Sequence, residues 1–569
     1  MPTTRKTYVS THALLILAAT ALLTTPALAQ IMPAPAPLYP TDPMKPLYYK
    51  DGNGPGTSYL QRWLPSDYGC PHAVQDGGPV SQYTNPLKCI ALGKGDDSFI
   101  TLNGTERLRN ENVSHTNLHV TATTNANGSP GRNTTLNQTE RYMTHSALGA
   151  DLHITDHFRA YGQIDNATQS GRQIQGGPQA NNRNTLSLMG LFGEGRIKLG
   201  DPPVTLPGLE NTIVGLRFGR ENTGFGSDNY WNTVNGGTNL ATGALDGVRV
   251  FADQGARRLD LFAYHFVNAV NFDPHGGREP FLDRDNARQL LWGAYFSNDL
   301  PRSTVLGLET KTGIDAFYYG YSNGAAQYTN RALLKNPTSL VIAPAGASFV
   351  TAHDYRHSIG LRFYGDIGPL DMDWSGVMQR GSFGARSVEA WAFHTSTGYN
   401  FALPWKPWIG LWLDGASGGV GRDTISTFQP MRQNAFAIST ISVSQALTNV
   451  IDVSPRIALA PTFDIGGFRV EKLSVSFWYS LYFRQNQGDA VYGGTTFGNQ
   501  TATSVNPYQT TAVTRGQFIG QQPNIRLSWT FAPHFSYGLD LAYQFQGPAL
   551  KAVGAKDTLY IRNQIVFDF

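Results

Sequence analysis

Charge is scarce in this chain. Asp, Glu, Lys and Arg together make 15% of 569 residues, well under the roughly 25% of soluble domains. Cysteine is scarcer still, with two residues, Cys70 and Cys89. That excludes a disulfide-dense scaffold, and without a nearby histidine pair it leaves a poor zinc site. A long apolar run is also missing. Ala13–Leu23 is the longest, and it falls well short of the ~20 residues a spanning helix needs. The net charge of +3 drops to about +1 once Arg5 and Lys6 are set aside, so a broadly basic nucleic-acid binder is excluded.

What is present begins with an export leader. Arg5 and Lys6, then the apolar core Ala13–Leu23, then Ala27-Leu28-Ala29 read as a secretory signal over residues 1–29. Residues 30–96 follow as a Pro/Gly-rich extension without helical or strand period, either periplasmic or folded into the lumen. Pro33, Pro35, Pro37, Pro40, Pro43 and Pro46 favour an extended tether. In an oxidising periplasm Cys70 and Cys89 are expected to staple this extension as a disulfide.

From residue 97 to 569 the chain alternates apolar and polar residues with period two. The first such stretch is Phe99–Asn112, and others include Thr212–Asn222, Thr304–Tyr321, Val453–Phe463 and Leu473–Gln485. The last, Asp557–Phe569, puts Leu559, Ile561, Ile565, Phe567 and Phe569 on one face and Tyr560, Arg562, Gln564 and Asp568 on the other. A chain ending on an aromatic residue within such a strand suits a barrel whose last strand pairs with its first. Segments around Gly365–Pro369 and Ala532-Pro533-His534 form tight turns. Long polar connections such as Ser322–Ala352, Ser417–Ala435 and Gly488–Arg515 alternate with them. These features predict an all-β, antiparallel transmembrane barrel of about eighteen strands in the outer membrane. A weak further segment lies near Ile438–Leu447. At least one long connection is expected to fold over or into the pore, because a barrel this wide leaves an aqueous channel.

Catalytic motifs do not hold up in this setting. Gly320-Tyr321-Ser322-Asn323-Gly324 matches G-x-S-x-G, but the nucleophile elbow needs a strand, a turn and a helix, and a loop without helical period is expected to follow. His115 and His119 make a metal pair only on a helix. Gly224-Phe225-Gly226 lacks the context of a phosphate loop. No enzyme and no cofactor is expected. Ten aromatic residues read as girdles at the membrane interfaces: Tyr142, Trp292, Tyr295, Trp374, Trp408, Trp412, Trp529, Phe535, Tyr537 and Phe569.

Several stretches go beyond generic barrel pattern. Gly104–Glu111 (GTERLRNE), Leu216–Gly226 (LRFGRENTGFG), Ala244–Val250 (ALDGVRV), Leu413–Gly418 (LDGASG) and Trp478–Tyr492 resemble, in order, segments of the alginate export family of outer-membrane porins. Glu221 stands where that family often has Gln, and Leu245 where it often has Phe. The two-cysteine extension has no counterpart. The resemblance implies an eighteen-stranded barrel carrying an anionic exopolysaccharide outward. An uptake porin for small anions or hydrophilic nutrients is the alternative.

Taking phase from the apolar face, the lumen should carry Arg107, Arg109, Arg217, Arg249, Arg258, Arg362, Arg456, Arg484, Arg526 and Arg562. Facing in with them are Glu111, Asp260, Asp371, Asp373, Asp414, Asp540 and Asp568. Ten cations against seven anions predict an anion-selective wall, since planar guanidinium forks suit carboxylates. Arg107, Arg109, Glu111, Arg217, Arg249, Arg362, Asp414, Arg456, Arg484 and Arg526 form the expected substrate path. The expected partners are outer-membrane lipid, an anionic polysaccharide and periplasmic export or assembly proteins.

Overall fold

The computed structural model describes residues 85–93, 98–115, 138–155, 157–171, 183–199, 212–221, 225, 244–254, 256–268, 284–329, 349–419, 421, 423–430, 447–489, 491–492, 516–532, 534–551 and 555–569. Eighteen long strands make the wall. They are β1 (Ser98–Ser114), β2 (Gln138–Ile154), β3 (Phe158–Ser170), β4 (Arg183–Leu199), β5 (Thr212–Glu221) and β6 (Leu245–Asp253). Next come β7 (Arg257–Asn268), β8 (Arg284–Asp299), β9 (Leu308–Thr329), β10 (Phe349–Ile367), β11 (Leu370–Phe383) and β12 (Arg386–Asn400). The last six are β13 (Trp408–Ala416), β14 (Val450–Leu459), β15 (Leu473–Phe483), β16 (Phe518–Ala532), β17 (Phe535–Gln546) and β18 (Thr558–Asp568). Each pairs antiparallel with its neighbour in sequence, and β18 pairs with β1 from Thr105↔Asp568 to Val113↔Tyr560. The wall is therefore closed. Closure lets every wall strand satisfy its backbone groups within protein, which the bilayer interior demands.

Short turns gather at one rim. Examples are Gly368–Pro369 between β10 and β11, and the step from Ala532 to Phe535 between β16 and β17. The opposite rim carries the long connections, such as 222–244, 330–348, 417–449 and 484–517. By the rule for barrels of this kind, the first rim is periplasmic and the second extracellular. The hairpin β11–β12 is an exception, turning in two residues at the extracellular rim, with Phe383 opposite Arg386.

The outer face is apolar. Leu108, Leu216, Phe218, Ile359, Leu361, Met378, Ile525 and Ile565 all point outward and are exposed in the isolated chain. In water such a band would be a liability; in lipid it is the mating surface.

Three segment boundaries differ from those read in the sequence. β9 continues to Thr329 and β10 starts at Phe349, so both ends of Ser322–Ala352 belong to the wall and Gly320–Gly324 lies inside β9. Polar residues there belong to tall strands that rise past the lipid. Near Thr304, the short strand Ser303–Val305 pairs back on β9 as a rim hairpin. β14 is Val450–Leu459, and the chain beyond it makes a second rim hairpin from Phe463–Ile465 and Phe468–Val470. Within Ile438–Leu447, residues before Leu447 lie outside the described residues. So do residues 1–84, including the leader, the proline tether and Cys70.

The aromatic girdles also need correction. Tyr142 and Trp374 are exposed on the outer face. Tyr295, Trp408 and Trp412 instead point into the lumen. Tyr295 donates to Asp315 at 2.5 Å, Trp408 Nε1 donates to Asp371 at 2.5 Å, and Trp412 lies against Arg456. In Leu290–Phe296 both faces are apolar, so alternation alone fixes no phase.

Candidate functional site

The lumen face of the closing seam is built by register. Glu111 on β1 stands opposite Arg141 on β2 and Arg562 on β18. Arg562 stands opposite Asp540 on β17, and Asp540 opposite Arg526 on β16. One row across five strands thus reads Arg, Glu, Arg, Asp, Arg. Asp540 accepts from Arg526 Nε at 2.5 Å and from Arg562 Nη2. Arg109 sits one step nearer the periplasm, 3.5 Å from Glu111, and donates to Gln564 Oε1 at 2.9 and 3.1 Å. Arg107 follows another step down, facing in and buried. Among the described lumen-facing residues of β1, the extracellular half of β2 and β16–β18, five arginines stand against Glu111, Asp540 and, at the rim, Asp568.

The wall from the periplasmic half of β2 round to β7 is different. Arg159 makes a bidentate pair with Asp151, both distances 2.7 Å. Arg217 donates to Glu194 at 2.8 Å and to Glu221 at 3.0 Å, and it covers the Phe192 ring at 4.0 Å. Glu221 also lies 3.0 Å from Arg249 and accepts from Tyr264. Arg258 reaches Asp260 at 2.9 Å and Asp253 at 3.0 Å. Desolvated charges persist only when paired this closely.

Beyond Arg258, the lumen face turns aromatic. Phe225 stacks on Phe262 at 4.8 Å and on Tyr295 at 5.2 Å, and Tyr295 on Phe317 at 5.9 Å. Arg362 on β10 clamps Asp373 with two 2.7 Å bonds and reaches Asp315 at 3.2 Å. Further round, Asp414 accepts from His394 Nδ1 at 2.6 Å, and Arg456 lies 3.2 Å from the centre of the Trp412 ring and 4.8 Å from that of Trp478.

Every arginine expected in the lumen points inward, but the charge count does not survive. Eleven arginines and thirteen carboxylates are buried among the described residues. Sequence reading missed Arg141, Arg159 and Arg356, and also Asp151, Asp165, Glu194, Glu221, Asp315, Asp354, Asp452 and Asp489. Several were in plain phase: Glu221 lies four positions from Arg217 on the same strand face. The local balance, not the total, carries the asymmetry. Arg220 resolves outward, in a bidentate 2.7 Å pair with Asp246.

Arg484 has another task than lining the wall. It donates to the carbonyls of Gln487 and Asp489 at 3.1 Å and of Gly516, tying both ends of the connection after β15. Asp489 in turn accepts from Gly419 N at 2.8 Å, Thr427 Oγ1 at 2.5 Å and Tyr492 OH at 2.8 Å. The described part of the connection after β13 is thereby held inward. Gln379, on the lumen face of β11, donates to Gln429 O at 2.9 Å. Phe428 belongs to one buried cluster with the small inward residues Val377, Ala390, Ala392 and Ala416.

A closed wall of eighteen lipid-facing strands around a charged lumen defines an outer-membrane β-barrel. The alginate export family model matches residues 116–562, and the chain belongs to that family. No curated protein sequence matches the chain. Among solved structures it is similar to Pseudomonas aeruginosa OpdK with vanillate, at 10% identity and TM-score 0.45, over 82% of this chain and 98% of that one. Acinetobacter baumannii OccAB1 gives 12% and 0.44, over 82% and 96%. Pseudomonas putida OprB gives 13% and 0.38, over 83% and 94%. Likeness of this degree carries no argument about what passes through the pore.

Proposed function

We propose that this barrel exports an anionic exopolysaccharide of the alginate type, after a leader over residues 1–29 is removed and with residues 30–96 left in the periplasm. The observation that supports this reading is the seam wall. There arginines outnumber carboxylates locally, while Glu111, Gln564 and Asp540 hold Arg109, Arg526 and Arg562 in place. Held cations attract a polyuronate along its length; the interspersed Glu111 and Asp540 keep any one contact from becoming a trap. Arg362 and Arg456, each braced by partners, continue the path around the wall. The inward connections held by Asp489 and Arg484 close the route when no polymer occupies it. Periplasmic proteins of the export apparatus would deliver the chain to the short-turn rim.

The test is a planar bilayer. The pore should prefer chloride over potassium, and an acidic oligosaccharide should block the current at lower concentration than a neutral one of equal length. A cation-selective pore would overturn the reading. Equal block by both sugars would instead make it a general uptake porin.

A further inference from the structure

Barrel closure requires the strands to be staggered, so the last strand meets the first out of step. β18 covers β1 from Val113 down to Thr105, and Phe569 extends the ladder to Gly104 through two 2.9 Å bonds. There the ladder with β18 ends, while β1 runs on to Ser98. Residues 98–103 therefore overhang with one edge beyond the reach of any wall strand. Backbone groups on one edge of a strand recur every second residue, so after Gly104 the groups to satisfy belong to Leu102, Ile100 and Ser98.

A segment from before the barrel meets each of them. Lys88 Nζ donates to Leu102 O at 2.6 Å. Ile90 pairs antiparallel with Ile100, and Ala91 with Phe99. Leu92 N donates to Ser98 O at 2.9 Å. Between them Cys89, itself disulfide-bonded, donates its N–H to Thr101 Oγ1 at 3.1 Å and takes a left-handed backbone, φ 52°. Lys88 is the joint between β1 and Phe569: its ammonium lies 5.4 Å from the centre of the Phe569 ring, and the residue is buried. Gly104 makes this possible, because a Cβ there would come within 2.4 Å of Phe569.

We propose that residues 88–92 form a strap, a strand supplied in cis that completes closure where the β18 ladder stops short. An open edge at the periplasmic rim would invite pairing with another chain. The strap removes that edge and fixes the carboxy terminus in the same contact.

Hydrogen–deuterium exchange on the full-length protein in detergent tests this. In Ile90→Pro the strap loses a backbone donor and its extended pairing. Amides of residues 98–104 should then exchange roughly tenfold faster or more, while those of residues 106–113 keep their protection. Lys88→Met keeps the stem but loses the donor, and should raise exchange in the same peptide to a smaller degree. Unchanged exchange of residues 98–104 in Ile90→Pro would overturn the strap. Should Ile90→Pro fail to give a heat-modifiable barrel, Lys88→Met decides alone, and unchanged exchange there would overturn it equally.

Discussion

On the wall from the periplasmic half of β2 round to β7, Arg159, Arg217, Arg249 and Arg258 share Asp151, Glu194, Glu221, Asp253 and Asp260. On the seam wall, Arg107, Arg109, Arg141, Arg526 and Arg562 share Glu111, Asp540 and Asp568. The residue types are the same and the stoichiometry is reversed. Where acids match or exceed bases, the charges neutralise one another and cross-link neighbouring strands. Where bases exceed acids, a field is left over for whatever occupies the lumen. A count over the whole barrel hides this, because the two walls cancel.

The largest effect should come from breaking the neutral wall. Glu221→Gln leaves Arg217 and Arg249 short of a buried partner, and removing one member of such a cluster costs about 3–5 kcal/mol. Urea unfolding in micelles should show the loss, with ion selectivity unmoved. A midpoint equal to wild type would mean the wall does not depend on pairing.

Next in size is the seam. Replacing Arg107 and Arg109 together by Gln should lower the chloride-to-potassium permeability ratio by roughly threefold or more, with a smaller stability cost than Glu221→Gln. Arg159→Gln on the other wall should leave the ratio unchanged. If Arg159→Gln shifts selectivity as much as the seam pair, the division of labour between the walls is wrong.

A smaller effect is expected from Asp489→Ala, which removes the acceptor of three hydrogen bonds, each worth about 1 kcal/mol. Single-channel recordings should show more frequent openings at unchanged selectivity. Recordings like those of wild type would mean that Asp489 does not hold the inward connections closed.

The smallest concerns Lys88, at the periplasmic rim outside both walls. Burial pushes its amine down to about 8 from 10.5, so the docked strap binds its proton less tightly than a free lysine does. Protonation therefore opposes docking below about pH 8, and that opposition fades as the pH rises from 8 towards 10.5. Protection of residues 98–104 should increase over that window in wild type and stay flat in Lys88→Met. The opposite slope would sink the assignment.

Much of the wall was readable from period-two alternation, because lipid on one side and charge on the other give each strand a clean contrast. Asp557–Phe569 and Phe99–Asn112 were found this way, and their faces were right. Contrast failed where both faces are apolar or aromatic, as around Trp292 and Tyr295, so Tyr295 was set in the membrane although it binds Asp315. It also failed at strand ends that rise beyond the lipid: polar residues on both faces made Ser322–Thr329 look like loop. The carboxylates of the neutral wall were in phase but scattered over separate strands, and only the barrel's register brings Glu194 and Glu221 to Arg217. The strap was invisible for another reason. Lys88 works by its position between β1 and Phe569, which no local pattern marks.

That joint has a consequence for the order of events in folding. Thr105 and Asp568, hydrogen-bonded at 2.7 Å, are separated by 463 positions, close to the greatest contact order a chain of this length allows. Loop-closure entropy is spent on such a contact before anything is gained from it. The strap meets β1 within its own stretch of chain, but the place of Lys88 beside the Phe569 ring exists only once β18 has closed on β1. The contact of Lys88 with Phe569 is thus among the last to form, and it reports that the circle is complete.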